Sequence, residues 1–202
     1  MKKILHIVSS INGETSFSTK LSNTIIEKLK KTYPDNEVHR LNLSATPSPY
    51  LETLHYGAFF TPAEHQTVEQ KEAVKHSDEA IKRLKDADII IIGVPLYNFG
   101  VPATLKSWID QIARAGETFT YVDNSSKGLL VNKKVYLAIA SGAVYSKGAY
   151  KNYDFTENYL RTIFGFIGMT DITVFRVEGT MIPEFKETAL PKAIETVNEF
   201  AF

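Results

Sequence analysis

Three short stretches hold most of the residues able to grip a small molecule. In SSINGETSFS, residues 9–18, the hydroxyls of Ser10, Thr15, Ser16 and Ser18 stand beside an expected helix start, where they and exposed backbone N–H groups would surround a phosphate monoester. The helix dipole contributes roughly 0.3–2 kcal/mol to such binding and each hydrogen bond to a charged group about 1.5–3 kcal/mol, so the hydrogen bonds decide it. The alternative is that Ser16 or Ser18 simply caps the helix. In PLYNFGVP, residues 95–102, prolines restrict both ends of a loop containing Leu96, Tyr97, Asn98, Phe99 and Gly100. Its backbone groups would meet the rim of a flat heterocycle, with Tyr97 or Phe99 packed beside the ring and Gly100 supplying unusual dihedrals. The alternative places both aromatics in the core under the next helix. In SGAVYSKG, residues 141–148, Ser141, Gly142, Ala143 and Val144 are small enough for close backbone approach to a planar ring, although alone they describe an ordinary strand-to-helix turn.

Other chemistries find little support. The chain has no cysteine, which removes disulfides, thiolate catalysis and cysteine metal sites. Its five histidines, His6, His39, His55, His65 and His76, show no metal-ligand spacing, and no metal site is expected. There is no G-x-S-x-G elbow, no G-x-G-x-x-G and no Walker lysine. Lys plus Arg and Asp plus Glu both number 23, so no electrostatic footprint marks a nucleic acid or an anionic membrane as partner. The opening MKKILHIVSS is basic then apolar, but it lacks the length and cleavage site of a signal peptide and reads as a strand. The run 89–97 is far below the ~18 residues of a membrane span. A cytoplasmic protein is the expectation.

The elements that must position the three stretches alternate regularly. Strands are expected at 3–9, 38–43, 89–94, 135–140 and 172–178, with a small hairpin within 118–130. Helices are expected from Ser18 (Leu21, Ile25, Leu29 inward), over 64–85 (Val68, Val74, Ile81, Leu84), and after Pro102 (Leu105, Trp108, Ile109, Ile112). Two more should carry Phe155 to Ile167, and Ile194 with Val197 after Pro183 or Pro191. The segment 44–67, with its prolines and aromatics, is expected to be a surface insertion. Strand–helix alternation implies a doubly wound parallel α/β sheet with helices on both faces. The first, third and fourth strands are apolar throughout and the other two partly polar, which predicts the flavodoxin-like order 2-1-3-4-5 in one domain, residues 1–202. Ligands of such sheets bind beyond the carboxyl ends of the strands near the reversal of strand order, the rim shared by all three loops.

A phosphate pocket, an aromatic shelf and a small-residue wall together describe a site for flavin mononucleotide. The blocks PLYNFGVPATLKSWIDQIARAGETFTY, KGLLVNKKVYLAIASGAVYSKG and NYLRTIFGFIGMTDITVFRVEG, with SSINGETSFS, resemble the bacterial FMN-dependent NAD(P)H azoreductases, a branch of the flavodoxin-like quinone reductases, almost from end to end. The resemblance implies a homodimer with FMN near the subunit interface. Carried over by position, it implies FMN contacts at Ser10, Ser16, Phe17 and Ser18, at Leu96, Tyr97, Asn98 and Phe99, and at Ser141, Gly142, Ala143 and Val144. Many relatives have methionine in place of Leu96 and a glycine pair in place of Ala143 and Val144. Phe60 and Tyr121 are expected to line the open substrate face. The implied reaction is ping-pong: NADH or NADPH reduces the flavin and leaves, and a quinone, azo or nitroaromatic acceptor takes the electrons at the same face. The cofactor carries this chemistry, so no side chain is assigned a catalytic role. Two rivals are a flavodoxin-type electron carrier serving a protein partner, usually with an acidic docking face absent here, and an FMN-free interaction protein with the same fold.

Overall fold

The computed structural model describes residues 1–202. Five strands, β1 (Lys2–Val8), β2 (Asn36–Asn42), β3 (Ile89–Pro95), β6 (Lys134–Ala140) and β7 (Asp171–Val177), form one parallel sheet in the order β2-β1-β3-β6-β7. Counting only these five, the order is the expected 2-1-3-4-5. The remaining strands, β4 (Phe119–Val122) and β5 (Ser125–Gly128), make a separate antiparallel hairpin.

Side-chain alternation explains the layering. Leu5, Ile7, Ile90, Ile92 and Val94 point to one face and pack with α3 (Val68–Asp86), α4 (Ala103–Ile112) and α5 (Phe155–Phe166). Ile4, Ile89, Ile91 and Tyr136 point to the other, against α1 (Phe17–Thr32) and α6 (Ala189–Glu199). A central strand buried on both faces cannot carry polar residues without partners, and all seven residues of β3 are buried. The edge strand β2 has none buried. Gly93 brings the two layers close at one point: a Cβ there would lie 3.1 Å from both Ser18 O and Ser22 Oγ, so the first turn of α1 sits directly on β3.

Several sequence expectations change. The insertion 44–67 contains a helix of its own, α2 (Thr53–Phe59), and a 3-10 turn at Ala63–His65. Val68 is not on the buried face of α3 but 80% exposed, because Thr67 caps the helix and leaves Val68 in its first turn. Pro191 lies within the first turn of α6 instead of preceding it, and the buried face of that helix is Ala189, Ala193 and Val197, with Ile194 half-buried. Proline is tolerated there because the first-turn N–H groups have no helical acceptor.

Candidate functional site

The ends of β1, β3 and β6 carry the three loops to one rim. Ser9, just past β1, donates through its N–H (3.3 Å) and Oγ (2.8 Å) to Gly93 O on β3. Leu96 N–H donates to Ala140 O at 2.8 Å, tying β3 to the last residue of β6. Ser10 Oγ and Tyr97 OH are 3.1 Å apart, a direct link between the first loop and the second.

The first loop turns through a 3-10 segment at Gly13–Thr15 and enters α1 at Ser16. Ser16 occupies the N-cap position, yet its side chain makes no capping bond; Ser16 Oγ and Ser18 Oγ instead pair with each other at 3.0 Å, both side chains buried. The backbone N–H groups of Phe17, Ser18 and Thr19 consequently have no acceptor in the protein, and the buried Thr19 Oγ1 has no hydrogen-bond partner either. Such an uncapped helix start, with hydroxyls turned inward, has the donors that a phosphate requires. Behind it, His6 is buried with Nε2 2.8 Å from Ser22 Oγ, and burial lowers its pKa to about 4. That imidazole is neutral at pH 7, and its recorded hydrogen bond is to α1.

The second loop is a two-residue reversal. Tyr97 and Gly100 exchange both backbone hydrogen bonds at 3.0 Å, and the residues between them, Asn98 (φ 48°) and Phe99 (φ 69°), are left-handed. The unusual dihedrals therefore belong to Asn98 and Phe99 and not to Gly100, which the sequence had suggested for that role. Asparagine tolerates this region; for phenylalanine it costs roughly 1–2 kcal/mol. Neighbours hold it there: the Phe99 ring centroid lies 5.7 Å from that of Tyr153 and 6.4 Å from that of Tyr145, and Phe99 O accepts from Phe155 N–H at 3.2 Å. Phe99 is 46% exposed, so it is a displayed side chain and not a core residue. Because Leu96, Tyr97 and Gly100 spend their N–H groups internally, the loop's free backbone donors are those of Asn98 and Phe99 at the turn and of Val101 after it.

In the third loop three successive carbonyls are hydrogen-bonded. Ser141 O accepts from Thr180 N–H (3.2 Å) and Thr180 Oγ1 (3.1 Å), Gly142 O from Met181 N–H (3.0 Å), and Ala143 O from Gly179 N–H (3.2 Å) and Ser141 Oγ (2.8 Å). Three consecutive carbonyls thus face the segment 179–181. In a trans peptide the carbonyl of one residue and the N–H of the next point in opposite directions, and the chain has no cis bonds. The N–H groups of Gly142, Ala143 and Val144 are therefore directed away from that segment, and none has an acceptor. Ser141 N–H is not among them, since it donates to Val177 O at 2.9 Å.

The structure gathers all twelve sequence-predicted cofactor positions onto these three loops. Phe60 (64% exposed) and Tyr121 (68% exposed) lie on separate excursions, the first packed on Tyr56 in the insertion and the second on Phe119 in the hairpin. Sequence reasoning missed Thr180, Met181, Glu178 and Arg176, which bind or brace the third loop from the end of β7. Only the charged pair in VFRVEG, interrupting an apolar strand end, could have pointed to them.

The family model of the flavodoxin-like fold matches residues 2–201. An FMN-dependent NADH:quinone oxidoreductase of Herminiimonas arsenicoxydans is 46% identical over 200 residues, 98% of either chain. The chain belongs to this flavodoxin-like oxidoreductase family. Among solved structures, an azoreductase from Bacillus anthracis str. Sterne superposes with a TM-score of 0.89 at 30% identity, covering 99% of this chain and 100% of its own. An FMN-dependent NADH-azoreductase from Bacillus anthracis str. Ames Ancestor, solved in complex with FMN, gives a TM-score of 0.88 at 27% identity over 98% of this chain and 97% of its own. Family membership accounts for the sheet order and the rim; the chain's own hydrogen bonds account for which donors stay free.

Proposed function

We propose that this chain binds FMN across the three loops and uses it to pass electrons from NADH to quinones and, in two successive cycles, to cleave azo bonds to amines. One observation carries the reading: the rim presents two separate sets of unpaired backbone donors, N–H 17–19 beside the mutually bonded Ser16 and Ser18 hydroxyls, and N–H 142–144, with an aromatic turn between them. A mononucleotide with a phosphate at one end and an electron-poor ring at the other fits that spacing of chemistry.

When bound, FMN supplies the hydride acceptor and donor that the side chains lack. The residues themselves bind and orient. Ser10, Ser16 and Ser18, with the start of α1, hold the phosphate. The turn at Tyr97–Phe99 forms one edge of the ring's seat, and its free Asn98 and Phe99 N–H groups reach for ring heteroatoms. The N–H groups of 142–144 would favour negative charge on a bound ring, and because the carbonyls of Ser141 to Ala143 are already bonded they would do so with little reorganisation. Phe60 and Tyr121 bound the open face where NADH and the planar acceptor exchange places; nitroaromatics fall within the same acceptor class.

The reading includes a homodimer. Beside the second loop a groove of ≈ 1020 Å³ is lined by Ile11, Val101, Phe155 and Tyr159, and Ile11 (74% exposed) and Phe155 (59% exposed) offer apolar surface that a second copy would cover. No helix is long and apolar enough to cross a membrane, and the absence of cysteine favours a cytoplasmic setting.

Anaerobic mixing of the yellow protein with NADH tests the proposal. Prompt bleaching, followed by return of colour on adding a quinone, is the expected result; colour that persists with NADH supports an electron carrier instead. Initial rates in both substrates should give parallel double-reciprocal lines, and intersecting lines overturn the shared-face exchange.

A further inference from the structure

Glu178 follows β7 and reaches back to the third loop. Its Oε1 accepts from the N–H groups of Tyr145 and Ser146, both at 2.8 Å, and its Oε2 from Ser146 Oγ at 2.5 Å. Arg176 Nη1 stands 3.3 Å from the same Oε1. The other arm of that guanidinium, Nη2, bonds Asp154 and Glu157 at 2.5 Å each, and Asp154 in turn caps α5 by accepting from Thr156 N–H (2.9 Å) and Glu157 N–H (3.1 Å). The side chains of Arg176, Asp154 and Glu178 are only 15%, 8% and 13% exposed. Removing one member of so enclosed a group would strand the others.

The loop between Ser141 and Ser146 is thus pinned at both ends. The near end and the carbonyls of Ser141 to Ala143 are held through the backbone by Val177 and by Gly179, Thr180 and Met181; at the far end the Glu178 carboxylate takes the N–H groups of Tyr145 and Ser146, with the Tyr145 ring beside Phe99 and Tyr150. Between the pins lie the three unpaired N–H groups of Gly142, Ala143 and Val144. Resting on the FMN reading given above, we propose that Glu178 is a positioning residue that holds these three donors against the ring edge, so that they bind reduced FMN more tightly than oxidised FMN.

Two effects of the carboxylate have opposite signs, which makes the inference testable. As a negative charge near the ring edge it disfavours added electrons; as an anchor for the N–H groups it favours them. Glu178→Asp keeps the charge but is one methylene too short to hold both N–H groups, whereas Glu178→Gln gives up the charge and keeps an acceptor at the right reach. The readouts are FMN titration of the apo protein and the two-electron midpoint potential of the FMN-loaded protein, with circular dichroism as the check on folding. E178D should bind reduced FMN about tenfold more weakly relative to oxidised FMN, which corresponds to a midpoint about 30 mV lower, while E178Q stays level with or above the wild type. A folded E178D with unchanged midpoint, or E178Q falling as far as E178D, overturns the inference. Should E178D not fold, E178Q with a midpoint below the wild type suffices to overturn it, and one at or above the wild type supports it. A wild-type protein that takes up no FMN overturns the cofactor reading and the inference together; wild-type binding with an unshifted E178D overturns the inference alone.

Discussion

Two excursions leave the sheet and carry the two proposed substrate side chains, and they are fastened by opposite means. The hairpin β4–β5 bearing Tyr121 is locked by backbone against backbone. A Cβ on Gly128 would fall 2.1 Å from Gly168 N, Leu130 N–H donates to Ile167 O at 2.9 Å, and the Phe119 ring lies 4.5 Å from that of Phe166. The insertion bearing Phe60 has little buried apolar surface. It is tied by side chains: Gln111 Nε2 donates to Pro49 O (3.0 Å), His76 Nε2 pairs with Ser48 Oγ (2.8 Å), and Arg114 lies over the Phe59 ring at 4.6 Å. Close-packed backbone has one arrangement, whereas polar tethers can be released one at a time. One wall of the proposed substrate face is therefore rigid and the other adjustable.

The sharpest way to break this contrast is Gly128→Ala. The added methyl meets backbone that cannot turn aside, so the hairpin must part from residues 167–168, at a cost on the order of 3 kcal/mol. Urea denaturation should show that loss, and hydrogen exchange should place it in residues 119–130 while 44–67 stays protected. A next, smaller effect is expected of Arg114→Ala. Arg114 is only 10% exposed on its side chain, pairs with Asp78 at 2.5 Å and donates to Ser77 Oγ at 2.9 Å, besides covering Phe59. Losing these should cost about 2 kcal/mol and speed exchange in the insertion first. Equal loosening of both excursions would show that the fastening is shared, since the backbone carbonyl of Arg114 also accepts from Thr118 N–H at 3.0 Å at the base of the hairpin.

What the sequence revealed follows the same division. Strands buried on both faces are apolar wherever no partner takes up a polar group, as Ser22 does for His6 in β1, so β1, β3 and β6, their order and the three rim loops were all legible in runs such as Ile89–Val94. The hairpin was legible too, because its turn residues Asp123 (φ 49°) and Asn124 (φ 62°) are of the types that accept left-handed backbone. The insertion was legible as a segment, but its helix was not. α2 is one short helix of seven residues with a histidine, a glycine and two aromatics, Tyr56 and Phe59, in place of an apolar period, and contacts with α3 decide its conformation. At the rim, residue types singled out three loops that the fold brings together but not which N–H groups remain free. That depends on distant partners: Ala140 O takes Leu96 N–H, Val177 O takes Ser141 N–H, and Glu178 takes Tyr145 and Ser146 N–H. The left-handed Phe99 ran against its own propensity, as expected where tertiary contacts impose a strained turn.

Acidity should separate the two excursions without any mutation. Burial, the largest influence, lowers the pKa of His76 below its ordinary value near 6.5, with Arg83 and His55 adding to the fall and Glu79 opposing it. A histidine depressed in the folded state contributes stability that is complete above pH 6.5 and is lost as pH falls toward its folded pKa. Residues 44–67 should then exchange faster, after correction for intrinsic rates, at pH 5.5 than at pH 7.5. The hairpin, which contains no histidine, should hold, and Ser48→Ala should flatten the difference in the insertion.

The smallest effect makes the closest comparison, because it repeats the substitution that begins the series. Gly57 lies inside α2 with Gln70 Nε2, the tip of a flexible side chain, 3.7 Å from where its Cβ would be, and its φ is not left-handed. Gly57→Ala should stabilise the insertion by about 0.5–1 kcal/mol, since alanine loses less backbone entropy in a helix than glycine does. The same chemical change thus carries opposite signs on the two sides of the proposed substrate face. If Gly57→Ala were instead as damaging as Gly128→Ala, local hydrogen exchange would show the insertion opening as a close-packed unit, and the adjustable wall would have to be abandoned.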